Sequence, residues 1–317
     1  MRTAYLAADG YEAQLAEELR RYGVTVETHH GRLAVCKGDA VPSVWAANVW
    51  YDVRDARIES IGEAAKVLRA EQRNWAPFAP VHRGRVELIA DKLPHVSAKP
   101  LAGGTAAPTA PLGSFTLLKP DRLLYAARCA SPFANGEAAF VEDRDGPPSR
   151  AYLKLWEALA RLGRFPQRGE RCVDLGASPG GWTWSLAATG AEVTAVDKAP
   201  LDPRVSALRN VTWQGVSAFS LDPVAFGPVD WMCSDVIAYP ARLLTLVQRW
   251  IAAGTVDTIV CTVKLQGNTD HDATDVFAAI PGGRLWHLHH NRHELTFVWE
   301  RPAVAEFALM IEEDAER

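Results

Sequence analysis

A turn rich in glycine carries the first chemical signal. The run Asp174-Leu-Gly-Ala-Ser-Pro-Gly-Gly-Trp182 joins an apolar strand directly to a helix and places glycines at 176, 180 and 181. Glycine lets the backbone approach a ligand closely, and a strand-to-helix turn aims backbone N–H groups at it. A dinucleotide fingerprint needs G-x-G-x-x-G and a phosphate cradle needs G-x-x-x-x-G-K-[ST]; neither spacing is present, so NAD and ATP lose ground. Asp197 ends the next strand, where a carboxylate can accept hydrogen bonds from both hydroxyls of a nucleoside ribose. Asp235 and Lys264 fall at the ends of two further strands, in Cys-Ser-Asp-Val and Thr-Val-Lys-Leu. Open α/β sheets place ligands outside the carboxyl ends of their strands, which favours one site formed by Asp174, Asp197, Asp235 and Lys264. The competing reading is a glycine turn that only closes a strand-helix corner.

Such a site needs a sheet to converge it. Pro147-Pro148-Ser149 marks a boundary, with Ser149 as expected N-cap of a helix whose Leu155, Trp156, Leu159 and Leu162 share one face. Strand 172–175, helix 182–189 and strand 192–196 then make a strand-helix-strand unit of the length parallel sheets require. Strands follow around Trp213, at 231–234 and at 258–262, with a helix at 241–252. Segments 284–289 and 295–299 flank His290-Asn291-Arg292 and read as a closing hairpin. The expected architecture is α/β: a doubly wound, Rossmann-like sheet with an antiparallel C-terminal hairpin.

Upstream, a strand at 4–7, a helix carrying Leu15, Leu19 and Tyr22, and strands at 25–28 and 32–36 suggest a small α/β domain over 1–60. A second segment, 61–146, reads as helix 64–75, strands 86–90 and 114–118, and an exposed Pro/Gly/Ala-rich loop over 100–113. The catalytic candidate residues fall in 147–317.

The 317 residues are 48% hydrophobic and 23% charged, a folded globular composition rather than a disordered one. No apolar run is long enough to span a membrane and no leader is evident, so the cytoplasm is expected. Five cysteines are scattered singly, which fits reduced thiols and no zinc site. The net charge of −4 argues against non-specific coating of nucleic acid. The basic surplus is local: residues 64–100 hold seven basic side chains against three acidic, whereas 306–317 hold five acidic and one basic. The basic segment reads as either a solvated face or an RNA-contacting one.

The turn at 174–182 closely resembles the S-adenosylmethionine loop of the FtsJ-like 2′-O-ribose methyltransferases. A longer resemblance, to the members that modify a cytidine ribose in large-subunit (23S) ribosomal RNA, covers Ser131-Pro132-Phe133, Pro148-Ser149-Arg150, Leu153-Lys154-Leu155 and most of the chain from Val173 to Arg301. It implies a Lys-Asp-Lys-Glu catalytic set at Lys154, Asp235, Lys264 and Glu294. It also implies a methyl-donor site at Asp174, Gly176, Ser178, Pro179, Gly180, Gly181, Trp182, Asp197, Ser217 and Asp235. S-adenosylmethionine is then the cofactor, RNA the partner, and the 61–146 segment a THUMP-like RNA-binding domain; no metal is required. Lysine is a poor base at its reference pKa of about 10.4, but burial and a neighbouring cation lower it, so Lys264 beside Lys154 is the expected base. Asp235 would orient Lys264, Glu294 would share in holding the cluster's charge, and Lys154 would steady the developing oxyanion. Where these relatives carry an acidic residue after Val-Thr-Trp, this chain has Gln214-Gly-Val-Ser217-Ala218, so the adenine contact is expected to be either lost or replaced by Ser217 or backbone.

Other chemistries fit less well. Cys233 as a nucleophile for cytosine C5 methylation should be packed within its strand. The Asn/Asp-Pro-Pro-aromatic turn of base-amino methyltransferases is replaced here by Ser-Asp-Val-Ile. His287, His289, His290 and His293 suggest a metal at first sight, but alternation separates them, which favours a structural or RNA-phosphate role. Trp182 is the tryptophan expected to meet a ligand, through its backbone position as much as its ring. Two other function classes stay open: a non-catalytic RNA-binding or ribosome-assembly factor that keeps the fold, and a small-molecule O-methyltransferase.

Overall fold

The computed structural model describes residues 1–267 and 271–302; the acidic run at 306–317 lies outside them. Contacts divide the chain into two compact units, Met1–Val141 with His287–His290, and Glu142–Trp286 with the chain from Asn291 onward.

The second unit is built on one seven-stranded sheet: β1 (Arg171–Leu175), β2 (Glu192–Val196), β3 (Val211–Gln214), β4 (Val229–Ser234), β5 (Val256–Lys264), β6 (Gly283–Trp286) and β7 (Glu294–Glu300). Their spatial order is β3-β2-β1-β4-β5-β7-β6. The first five run parallel, and β7 lies antiparallel between β5 and β6. The chain moves outward from β1 to β3 and then returns to lay β4 on the other side of β1. That reversal leaves a crevice at the carboxyl ends of β1 and β4, where ligands of parallel sheets bind. The central strands are apolar on both faces, as parallel strands covered on both sides must be: in β5, Ile259, Val260, Cys261 and Val263 are all fully buried.

Helix α1 (Tyr152–Leu162) buries Tyr152, Leu153, Leu155, Ala158 and Leu159, and with them Lys154 and Glu157. Ser149 does not cap it. The helix starts at Tyr152 with Ala151 at the cap, and the Ser149 hydroxyl instead accepts from the Ala151 N–H at 3.4 Å. Helices α2 (Gly181–Ala188), α3 (Pro240–Ala253) and α4 (His271–Ala278) complete the unit's longer helices among the described residues.

The first unit has two sheets. One orders Thr25–His30, Leu33–Lys37, Arg2–Ala7, Ala46–Tyr51 and Arg128–Cys129; the other orders Arg54–Arg57, Arg122–Ala126, Gly113–Lys119 and Trp75–Pro77. These pairings cross residue 60 in both directions, so contacts do not break at the boundary expected there. The expected strand at 86–90 is part of a helix, Arg83–Ala90. Val86 and Ile89, three apart, are its buried positions, and so short an apolar run fits either period. The closing hairpin is also looser than expected: β6 ends at Trp286, and His287 leaves the sheet to pack on Tyr11 and Trp45 while its N–H donates to the Val44 carbonyl at 3.1 Å. Among the described residues no group of side chains is arranged to hold a metal, and no helix is long and apolar enough to cross a membrane. All five cysteines are free and lie in strands.

Trp231 shows how the sheet is held. Its ring is fully buried, its N–H donates to Glu170 Oε2 at 2.7 Å, and the Arg164 guanidinium lies 4.9 Å from the ring centroid. Trp231→Ala is expected to cost about 3–5 kcal/mol, read as a lowered urea midpoint; an unchanged midpoint would place the ring outside the cooperative core.

Candidate active site

The glycine turn is tied down on both sides. The Gly176 and Ala177 N–H groups donate to the Val196 carbonyl at the end of β2 (2.8 and 3.3 Å). Gly176 has φ of +82°, and a Cβ there would lie 2.7 Å from Val236 Cβ and 2.8 Å from Val236 Cα. No side chain fits, because the turn leans directly on the residue that follows Asp235. A Cβ on Gly181 would likewise meet Ser149 Oγ at 2.5 Å, so the start of α2 is packed against the approach to α1.

Asp197 stands at the end of β2 as expected, with its carboxylate organising the neighbouring loop. Its Oδ2 accepts from the Ser178 N–H (3.1 Å) and its Oδ1 from the Ala199 N–H (2.9 Å). Ser178 Oγ in turn donates to the Pro200 carbonyl, and the Pro179 carbonyl accepts from the Asp202 N–H. Beside this loop a pocket opens, lined by Gly176, Val196, Asp197, Ser217, Phe219 and Arg242 among others. Ser217 reaches it, but the hydroxyl accepts from the Phe219 N–H and shapes the loop. The Arg242 guanidinium lies 3.9 Å from the Phe219 ring centroid, closing one wall.

Asp174 lies near the carboxyl end of β1, just before the turn, and is 1% exposed. One carboxyl oxygen accepts from Thr183 Oγ1 at 2.6 Å; the other, Oδ1, is buried without a hydrogen-bond partner. Burial, against the relief from Thr183 and reinforced by the negative charge of Asp235 and Asp197, pushes this carboxyl up to about 7. A buried acid with one unpaired oxygen beside a glycine turn is suited to a cationic ligand.

The four residues of the implied catalytic set meet in one closed ring. Lys154 Nζ donates to both Asp235 oxygens and to Glu294 Oε1, each at 2.9 Å. Lys264 Nζ donates to Asp235 Oδ1 at 2.6 Å and to Glu294 Oε2 at 2.8 Å. Each has a separate structural origin: Lys154 on α1, Asp235 just past β4, Lys264 closing β5 and Glu294 opening β7. The antiparallel register sets Lys264 directly opposite Glu294. The side chains are 10% (Lys154), 19% (Asp235), 23% (Lys264) and 10% (Glu294) exposed, so Lys264 is the ring member most open to a second substrate.

The electrostatics correct one expectation. Burial acts to lower the Lys264 pKa, but the charges and hydrogen bonds of Asp235 and Glu294 outweigh it, and the ammonium is held above its ordinary value rather than below. Glu294 responds in the opposite sense: burial would raise it, yet Lys154 and Lys264 hold it below the usual carboxylate range. Trp182 is also differently placed than its position in the turn suggested. Its ring is 3% exposed and its N–H donates to the Ala151 carbonyl at 2.9 Å, so the side chain anchors α2 to α1 instead of facing a ligand. Thr183, Phe219, Val236 and Arg242 were not singled out by sequence. Thr183 could have been read from its place in the first turn of α2, beside Asp174; the stacking of Phe219 with Arg242 spans 23 residues and has no local signal.

Residues 147–275 match the FtsJ-like methyltransferase family. The chain is 38% identical over 164 residues to a protein of Aromatoleum aromaticum named ribosomal RNA large subunit methyltransferase M, covering 47% of this chain and 44% of that one. A protein of the same name from an Azoarcus species is 36% identical over 165 residues, covering 47% and 45%. The chain thus aligns with less than half the length of these curated relatives. Among solved structures, the fibrillarin pre-rRNA processing protein of Methanococcus jannaschii aligns over 43% of this chain and 69% of its own, at 18% identity and a TM-score of 0.32, too slight a likeness to bear on function. The resemblance of the sequence to FtsJ-like methyltransferases is therefore matched over residues 147–275.

Two outcomes follow for the glycine turn and Asp174. A carboxyl raised in the folded state contributes stability that is present below its unfolded value, about 3.8, and lost as pH rises through about 7. The ligand-free wild type is expected to lose more thermal stability than Asp174→Asn between pH 5 and pH 8; parallel melting curves for the two would show that Asp174 is not protonated in the fold. Gly176→Ala, which adds a side chain in both a left-handed conformation and a close contact, is expected to destabilise by about 1–3 kcal/mol, seen as a lower melting temperature.

Proposed function

We propose that this chain is an S-adenosylmethionine-dependent methyltransferase that modifies a ribose 2′-hydroxyl in RNA, and that its substrate is large-subunit ribosomal RNA, at a cytidine. The observation that carries the reading is the closed Lys154–Asp235–Lys264–Glu294 ring at the carboxyl end of the sheet, next to the glycine turn. The C-terminal match to FtsJ-like enzymes supports it, as do the names of the relatives. The finer fold assignment belongs to the same reading: a methyltransferase sheet over 147–317, preceded by an α/β segment (1–60) and a THUMP-like segment (61–146) that share their sheets.

The residues present fit the methyl donor. The pocket between β2 and Phe219 suits a nucleoside, Asp197 has lone pairs for its ribose, and the unpaired oxygen of buried Asp174 suits positive charge. When bound, the donor supplies a methyl group on a sulfonium centre. The chain must then align the ribose oxygen and remove its proton, because a hydroxyl is a weak nucleophile. Lys264, the more exposed ammonium, is the group we assign to that proton, acting as base once its own proton has gone to solvent. Neighbouring positive charge opposes the carboxylates that hold Lys264 protonated, so arrival of a cationic donor favours the neutral amine. Lys154, bonded to both carboxylates, keeps Asp235 and Glu294 in place and offers positive charge to the oxygen as its proton departs.

The first unit is assigned to RNA docking. In the basic segment 64–100, the side chains of Lys66, Arg69, Arg73, Arg83, Lys92 and Lys99 are exposed, so their charge is available to phosphates.

The test is methyl transfer from labelled donor to large-subunit RNA by the full chain, with the product mapped by resistance of the modified linkage to alkali. A single ribose mark is expected; label on a base, or donor binding without transfer to any RNA, would defeat the assignment. In single-turnover reactions Lys264→Ala is expected to lose about 10²–10⁴-fold in rate while retaining donor binding. The wild-type rate should rise with pH as the neutral amine accumulates. A rate independent of pH between 6 and 9 would assign Lys264 to charge stabilisation instead.

A further inference from the structure

The segment that follows Asp235 carries an unusual pair of side chains. Ile237 is 89% exposed, the highest value for a large hydrophobic among the described residues, and Tyr239 is 68% exposed. Single exposed apolar residues are ordinary on protein surfaces. These two differ in arrangement. Exposure alternates along the segment, with Val236 and Ala238 turned partly inward and Ile237 and Tyr239 outward, the pattern of extended chain. The stretch Val236-Ile-Ala-Tyr-Pro240 holds no charged residue.

The backbone that presents the pair is fixed at both ends. Val236 is seated against Gly176, and buried Pro240 begins α3, whose Arg242 and Leu243 N–H groups donate to the Tyr239 carbonyl at 3.0 and 3.1 Å. Tyr239 is four residues beyond Asp235, so their Cα atoms are at most about 14 Å apart, about the rise of four stacked nucleotides. One turn further along α3, Arg242 is exposed, and exposed Lys198 lines the same pocket rim. A flat aromatic ring and a branched aliphatic side chain beside positive charge suit a single-stranded RNA segment, whose bases stack on aromatic faces while its phosphates seek cations.

We propose that Ile237 and Tyr239 form a stacking platform for an unstacked RNA base, at or next to the nucleotide whose ribose is presented to Lys264 and Asp235. The platform rests on the RNA 2′-O-methylation reading. It gives the catalytic unit its own hold on the substrate strand, separate from the donor pocket and from the ring that performs the chemistry.

The experiment measures methyl transfer by the full chain against RNA concentration, together with donor affinity by calorimetry. Tyr239→Ala is expected to raise KM for RNA about tenfold, within the range that base stacking on an aromatic ring contributes, with kcat falling less than KM rises. Tyr239→Phe should restore KM, because the ring and not the hydroxyl makes the platform. Ile237→Ala should raise KM by a smaller factor, and donor affinity should stay at the wild-type value in all three. Both residues are exposed, so the variants should melt like the wild type. Unchanged KM in Tyr239→Ala alongside an active wild type would overturn the platform alone. So would a change confined to donor affinity, or a change in oligomeric state, which would mark the pair as a protein contact. A wild type that transfers no methyl group to RNA would overturn the reaction reading and the platform with it.

Discussion

Two ammonium groups and two carboxylates share a half-buried space in the second unit, and their mutual neutralisation constrains much of what surrounds them. Removing one partner from such a cluster leaves an uncompensated charge where water is scarce, which is far more costly than the net gain from any one pair. The backbone must therefore deliver all four side chains together. The β5–β7 pairing does so by setting Lys264 opposite Glu294, and a slip of one residue would turn Glu294 to the other face of the sheet. Helix α1 buries Lys154 along an otherwise mostly apolar surface, and that burial makes sense only because both carboxylates are waiting for it.

The glycine turn obeys a different rule. Asp174 is buried without a cation, and its carboxyl is correspondingly reluctant to ionise. Its proton stands in for a positive charge that a ligand would bring. The ring pairs each of its charges internally, whereas Asp174 beside the glycine turn keeps one carboxyl oxygen without a partner, as the proposed binding of a charged donor would require.

Much of this is legible in the sequence. The strand-turn-helix at 171–188, the acidic residue at the end of β2 and the polar residues at the ends of β4 and β5 follow from apolar runs broken by turn signals, because parallel strands show themselves in sequence as continuous hydrophobic stretches. Lys154 and Glu294 became candidates only through resemblance. Nothing local distinguishes a lysine on an apolar helix face or a glutamate at a strand start from ordinary salt-bridging residues. The direction of the Lys264 shift is hidden in the sequence for the same reason: the neighbouring ammonium is visible as a motif partner, while the simultaneous contact of both carboxylates is a tertiary fact. The helix at 83–90 and the early end of β6 at Trp286 show the limits of periodicity in short segments. In the second case His287 is drawn out of the strand by the aromatic surface of Tyr11 and Trp45, more than two hundred residues away in the chain.

The seating of Val236 on Gly176 makes neighbours of two loops with different duties. In the proposed reaction one backbone would hold the methyl source and the other would position Asp235 beside Lys264. Because they touch without room for even a methyl group between them, neither can drift without dragging the other. Under that reading, alignment of the two reactants would depend on a single tightly packed joint.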